Sequence, residues 1–236
     1  MTPTGSFADQ PPRDAKEGQM FLRRHDIDIS LSTAEKLLVY ANLLRRWQPA
    51  QNLVAGSSLD SVWERHFLDS LQLLSLVETC RPSGQREDVQ QGRAVDLGSG
   101  AGFPGMVLAI ANEGPKATHR LQMSLVEPNK RKVAFLRTVS RETGANVDIY
   151  PARAEDLPDL SVDFVFSRAL APLPELVALS GRFLERGAIG LFHKGVEIDA
   201  EIANWDAASA YSVVTHPSVL GSGAILEIRR AARPHR

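Results

Sequence analysis

The chain has 236 residues, 43% of them hydrophobic, enough to bury one substantial core with a small appended element but tight for two full domains. Its 27 Lys and Arg against 28 Asp and Glu leave a formal net charge of -1, which excludes a whole-molecule field that gathers polyanions, so any nucleic-acid binding needs a local patch. A single cysteine, Cys80, excludes an internal disulfide framework and a cysteine-rich zinc site. No metal centre is expected, and the thiol reads as a small buried side chain in a reducing compartment.

In chain order, residues 1–20 mix Pro, Gly, Asp, Lys and Gln without the apolar stretch of a secretory signal, which predicts a mobile arm. From Ser30 a helical period begins: Ser32 or Thr33 as cap, Glu35 and Lys36 in the first turn, then Leu37, Leu38, Tyr40, Ala41 and Leu44, with an end before Pro49. A second helical run from Leu59 carries a stripe of Val62, Phe67, Leu68, Leu71, Leu74 and Leu76 and ends before Pro82. Residues 21–80 therefore read as a small N-terminal helical cap, and Arg81 to Gly92, holding Pro82, Gly84 and Gly92, as a connector.

Residues 92–236 read as one α/β domain. Strands are predicted around Arg93–Leu97, Leu121–Val126, Val147–Tyr150, Asp163–Ser167 and Ala188–His193, with helices around Pro104–Ala111, Asn129–Glu142 and Pro172–Leu184 between them. That alternation argues for a parallel sheet covered on both faces, and Ile225–Ile228 is added as an edge strand. The longest apolar run, Met106–Ala111, falls far short of the roughly 18 residues that span a bilayer, so a soluble, cytoplasmic chain with no membrane partner is expected.

Where the first strand meets its helix stands Asp96-Leu97-Gly98-Ser99-Gly100-Ala101-Gly102-Phe103-Pro104-Gly105. Glycines let the backbone turn sharply and approach a ligand, and the following helix offers free N–H groups, so the loop reads as a cradle for a nucleotide-like molecule. Gly100-x-Gly102-x-x-Gly105 is a literal dinucleotide fingerprint with Glu127 at about the right remove, which leaves an NAD-binding oxidoreductase as one reading. Too few residues follow to build the second half-sheet and substrate domain such an enzyme needs. Asp96 ahead of the glycines instead gives D-x-G-x-G-x-G, which resembles the first motif of class I methyltransferases, a Rossmann-like fold whose loop wraps the amino-acid end of S-adenosylmethionine. Glu127 then suits the ribose hydroxyls, both its oxygens being acceptors, or simply faces the dipole of the next helix. Arg153 to Asp156 stands where the adenine would lie.

Several segments together resemble one family, the 16S ribosomal RNA guanine-N7 methyltransferases once called glucose-inhibited division protein B. They are Asn52-Leu53, Arg65 to Ser70, Asp96 to Gly105, Lys130-Arg131-Lys132 with Phe135-Leu136-Arg137, Ser167-Arg168-Ala169, and Lys194-Gly195, in order along the chain. The resemblance implies S-adenosylmethionine contacts at Gly98, Phe103, Ala154, Glu155 and Arg168, beside Asp96, Gly100 and Glu127 of the loop reading. It also implies 16S rRNA or the small ribosomal subunit as partner. Two departures, Glu127 where the family often has Asp and Pro128 where it has a small residue, bear on the ribose geometry.

Guanine N7 owns an in-plane lone pair and loses no proton on methylation, so positioning rather than a general base should supply the acceleration. Arg168 can reach guanine O6 and N7, a phosphate or the cofactor carboxylate, or form a structural ion pair. His66 and Asp69, three apart on a predicted helix, share a face, so Asp69 is expected to orient the imidazole, and with Arg168 they form the candidate catalytic set. Lys130, Arg131 and Arg137, with Arg141 on the same helix and Lys194 beyond it, form the candidate RNA-binding set. Arg23, Arg24, Arg45, Arg46, Trp47 and His193 would extend it, and a monomer is expected.

Overall fold

The strand-forming runs Ala94–Leu97, Met123–Val126 and Phe164–Ser167, mostly apolar, are buried at successive positions rather than alternate ones, the mark of strands covered on both faces. A computed structural model describes residues 11–80, 91–112 and 120–231, and in it these runs are the centre of a seven-stranded sheet. The strands are β1 (Gln91–Leu97), β2 (Arg120–Val126), β3 (Val147–Tyr150), β4 (Phe164–Arg168), β5 (Ile189–Lys194), β6 (Tyr211–Pro217) and β7 (Ala224–Arg230). Their order is β3-β2-β1-β4-β5-β7-β6, with β1 to β5 parallel and β7 antiparallel to both its neighbours.

This corrects the expected edge strand. Ile225–Ile228 lies inside β7, between β5 and β6, and Leu226 and Ile228 are fully buried. The edge is β6, which sequence reading missed because its exposure alternates and its residues include His216 and Pro217. After β3 the chain crosses back to place β4 beside β1, so the order reverses between β1 and β4, the change of direction at which α/β sheets open a crevice at the carboxyl ends of their strands.

Helices α1 (Ala15–Arg23) and α2 (Leu31–Trp47) belong to the cap. The mobile arm expected over residues 1–20 fails for Ala15–Met20: Asp14 caps α1 by accepting the Glu17 N–H at 2.9 Å, and Ala15, Gly18 and Leu22 are buried. Gly18 permits the close approach, since a Cβ there would stand 2.2 Å from the Trp63 indole. Residues 1–10 of that arm, most of the expected connector and the last five residues lie outside the described residues. The connector is shorter than expected, because β1 already begins at Gln91.

Ser30, not Ser32 or Thr33, caps α2 by accepting the Thr33 N–H at 3.0 Å. The second cap helix is not one regular helix. Trp63–Leu68 forms a π-helical turn, followed by α3 (Asp69–Leu71) and α4 (Leu73–Thr79). Helices α5 (Gly105–Asn112) and α6 (Lys130–Thr143) join the cap on one sheet face, and α7 (Leu173–Leu184) packs on the other beside the short α8 (Ile198–Ala203). All of α5 is buried, as expected of a helix that is apolar all round.

Candidate active site

The glycine loop leaves β1 through Gly98, Gly100 and Gly102 at φ +70, +58 and +100, backbone that side chains rarely adopt. Three interactions hold its shape. The Asp96 carboxylate accepts the Gly105 N–H at 3.0 Å, Ser99 bridges to β2 by accepting the Val126 N–H at 3.1 Å, and Glu127 accepts the Gly100 N–H at 2.9 Å. Gly105 must be glycine, because a Cβ would stand 2.4 Å from Leu125 and 2.7 Å from Asp96.

Asp96 is wholly buried, and burial pushes its carboxyl up to about 7 against the Gly105 N–H and the Ser99 hydroxyl. Its Oδ1 has no hydrogen-bond partner among the described residues. Above the loop, a Cβ built at Gly100 would meet only the Gly98 carbonyl, at 3.8 Å. Open backbone at Gly100 and an unsatisfied buried carboxyl oxygen in the same loop suit a molecule that brings a cation, the amino-acid end of S-adenosylmethionine among them.

Glu127 stands at the start of α6, as the second of its two sequence readings had it. It is buried, and its other oxygen accepts the Asn129 N–H at 2.8 Å, so it ties the loop to the start of α6. Each oxygen keeps a further lone pair for hydroxyl donors. After β3, Ala154 is half-buried and its carbonyl accepts from Arg182 at 3.2 Å, while Glu155 is exposed.

The cap closes the site from the other side. Phe103 lies between two rings, stacked on His66 at 4.4 Å and on Tyr40 at 5.4 Å, with the Arg168 guanidinium 5.1 Å from its centre. The Tyr40 hydroxyl donates to the Ala101 carbonyl. Sequence reading took Tyr40 only as part of an apolar stripe, and its hydroxyl carried no separate signal.

Arg168, at the end of β4, donates to the Arg65 carbonyl at 2.9 Å, to Asp69 at 3.0 Å and to His66 Nδ1 at 2.7 Å. A guanidinium can only donate, so His66 Nδ1 carries the lone pair and Nε2–H donates to Ser58 at 3.0 Å. Burial first, then the positive charges of Arg168 and Arg65, push the imidazole down to about 3. His66 is therefore a neutral acceptor that holds Arg168.

The expected His66–Asp69 partnership is not formed. Asp69 turns to Arg168 and to Gln72, whose amide donates at 2.7 Å. The cause is Arg168, which stands between the two and donates to both, so neither side chain turns to the other. The structure thus brings His66, Asp69 and Arg168 together, with Arg168 as the link. Among the described residues three N–H groups of Arg168 find partners, and two of its five, Nε–H and one on Nη2, do not.

Of the RNA-binding candidates, Lys130, Arg131 and Arg137 are exposed on α6. Arg141 is also exposed but pairs with Glu142 at 3.0 Å. Lys194 does not join them. Its side chain is 8% exposed and its Nζ lies 2.7 Å from Glu201, so the fold neutralises it. His193 is buried as well and donates from Nε2 to the Asp69 carbonyl at 2.8 Å. Trp47 is half-buried, edge-on to Phe135 at 5.6 Å.

The NAD reading meets an obstacle in the sheet, because a dinucleotide fold continues with a parallel sixth strand where this chain inserts the antiparallel β7. Among solved structures, magnesium protoporphyrin IX methyltransferase from Synechocystis PCC 6803 with bound SAM shares the fold at a TM-score of 0.54 and 12% identity, over 81% of this chain and 97% of that one. The ribosomal RNA small subunit methyltransferase G of Rhodospirillum centenum is 44% identical over 86% of this chain and 87% of its own length. The Methylorubrum populi protein of the same name is 41% identical over 81% of this chain and 85% of its own. The family model for rRNA small subunit methyltransferase G matches residues 33–227, from the cap helix α2 into β7, and the chain belongs to that family.

Proposed function

We propose that this chain transfers the methyl group of S-adenosylmethionine to N7 of a guanine in the 16S rRNA of the small ribosomal subunit, as a monomer in the cytoplasm. The observation that carries the reading is the open backbone at Gly100 in the loop of the buried Asp96, whose Oδ1 has no partner among the described residues, with the Arg168 guanidinium 5.1 Å from the Phe103 ring of the same loop. When bound, S-adenosylmethionine supplies an electrophilic methyl on a sulfonium sulfur, and a nucleophile that loses no proton, such as guanine N7, takes it without a base.

The residues around the cradle fit that chemistry. Gly98 and Gly100 would hold the amino-acid end, Glu127 the ribose, and Ala154 with Glu155 the adenine. His66 is not set to take a proton, because both its nitrogens are engaged and its basicity is suppressed. Catalysis then rests on holding two reactants in line, an arrangement that can supply roughly 7 to 11 kcal/mol. Arg168, fixed by His66, Asp69 and the Arg65 carbonyl, is the residue we assign to the target base or the cofactor carboxylate. Lys130, Arg131 and Arg137 would meet phosphates, which gives affinity without sequence choice.

The test is transfer of a labelled methyl group to small-subunit RNA, naked and assembled, from cells lacking this protein. Wild type should label one guanine, at a position cleavable after reduction as N7-methylguanine, and an Asp96→Ala, Gly98→Arg double variant should label none. S-adenosylmethionine binding with no transfer to either form of the RNA would overturn the substrate assignment.

A further inference from the structure

Glu201 lies on α8, outside every motif read from the sequence, yet its carboxylate ties two distant segments. It accepts the backbone N–H of Leu173, the first residue of α7, at 2.8 Å, and it pairs with Lys194 at the end of β5 at 2.7 Å. Lys194 in turn donates to the Ala171 carbonyl at 3.3 Å. These bonds converge on the turn that carries the chain from β4 into α7.

That turn is costly to hold. Ala169 sits at φ +54, a left-handed conformation that a residue with a Cβ adopts reluctantly, so surrounding structure must fix it. Its start carries Arg168, and Leu170 lies directly on Gly98: a Cβ added at Gly98 would stand 2.5 Å from the Leu170 side chain. The turn and Lys194 also line a cavity of about 270 Å³ with Asp69, His193 and Ser222. An ammonium 8% exposed needs its partner, and a carboxylate 31% exposed supplies it.

We propose that the Lys194–Glu201 pair is a positioning device that holds the turn 169–172 over the glycine loop and thereby sets the affinity for S-adenosylmethionine, Lys194 acting on backbone rather than on RNA phosphate. The inference rests on the reading of the glycine loop as the cofactor site. Burial raises the Glu201 carboxyl, and the hydrogen bonds from Lys194 and the Leu173 N–H outweigh it, so the group stays below the usual carboxylate range and ionised at neutral pH.

The experiment compares full-length wild type with Lys194→Met, Glu201→Gln and the double variant. Amide hydrogen exchange without ligand should rise at residues 169–173 in each variant while β5 stays protected. The dissociation constant for S-adenosylmethionine should rise about tenfold in each single variant, and the double should be no weaker than either, because both remove one interaction. In turnover, KM for S-adenosylmethionine should rise with kcat changed by less than about twofold, and the salt dependence of RNA binding should be unchanged. Should Lys194→Met fail to fold, Glu201→Asp, which keeps the charge and shortens its reach, carries the same expectations. Unchanged exchange and unchanged cofactor affinity in Glu201→Gln would overturn the proposal. So would a Lys194→Met that loses RNA affinity and about one unit of salt slope while Glu201→Gln does not. A wild type that binds no S-adenosylmethionine would sink the cofactor reading instead, and the exchange measurement would still test the clamp.

Discussion

The floor of the site and its cap-side wall each take a titratable group out of water, and burial works against the charged form of both, yet the two regions are finished differently. On the wall, His66 is pushed down to about 3 and both its nitrogens are satisfied, by Arg168 and by Ser58. On the floor, Asp96 is pushed up to about 7 and one oxygen has no partner among the described residues. The wall is thus a complete scaffold, whereas the floor keeps an unmet demand for a donor or a positive charge. A site that must bind a cationic molecule reversibly is served by that division: rigid where it aims, unsatisfied where it receives.

The largest effect should come from relieving the floor. The folded-state value for Asp96 lies above its ordinary 3.8, so its contribution to stability is present below about pH 4 and is lost as pH rises towards 7. Asp96→Asn keeps an oxygen for the Gly105 N–H and carries no charge. It should therefore gain on wild type between pH 4 and pH 8 by up to about 4 kcal/mol while weakening S-adenosylmethionine binding. Urea unfolding at the two pH values checks it, and an equal stability difference at both would mean that Asp96 is not the strained group.

Breaking the wall should cost somewhat less. Arg168→Met leaves Asp69, His66 Nδ1 and the Arg65 carbonyl without their donor, which should lower the unfolding free energy by about 3 kcal/mol. It should also lower kcat/KM about 100-fold through misplacement of the reactants. Denaturant titration and single-turnover methyl transfer measure the two parts, and a variant with intact turnover would remove Arg168 from the reaction.

The smallest change sharpens the contrast between regions. Tyr40→Phe keeps the stack on Phe103 but deletes the hydroxyl that holds the Ala101 carbonyl, a loss of about 1 kcal/mol in stability. If the cap merely covers the loop, cofactor affinity will not move. A rise in its dissociation constant of several-fold would show that α2 sets the loop's shape, a result that calorimetric titration would detect.

The glycine loop was legible because its demand is local. Positive φ at Gly98, Gly100 and Gly102 is written in residue type, and so is the crowding at Gly105. The parallel core was legible too, since strands buried on both faces are apolar at most positions rather than at alternate ones. By contrast, β6 gave a weak signal because one of its faces meets solvent, and α8 because only Ile198 of its six residues is buried. The His66–Asp69 pairing was misread because both side chains turn to Arg168, about 100 positions away in the chain.

Residue identity alone therefore determined the fold class, the family and the position of the glycine loop, because backbone freedom, charge and apolar periodicity act over a few residues. Tertiary structure decided which charges are spent internally. Arg168 meets acceptors about 100 positions away, and Lys194, a surface cation by sequence, is drawn in by Glu201 and the Ala171 carbonyl. Ion pairing depends on distance in space and on removal from water, and chain separation encodes neither.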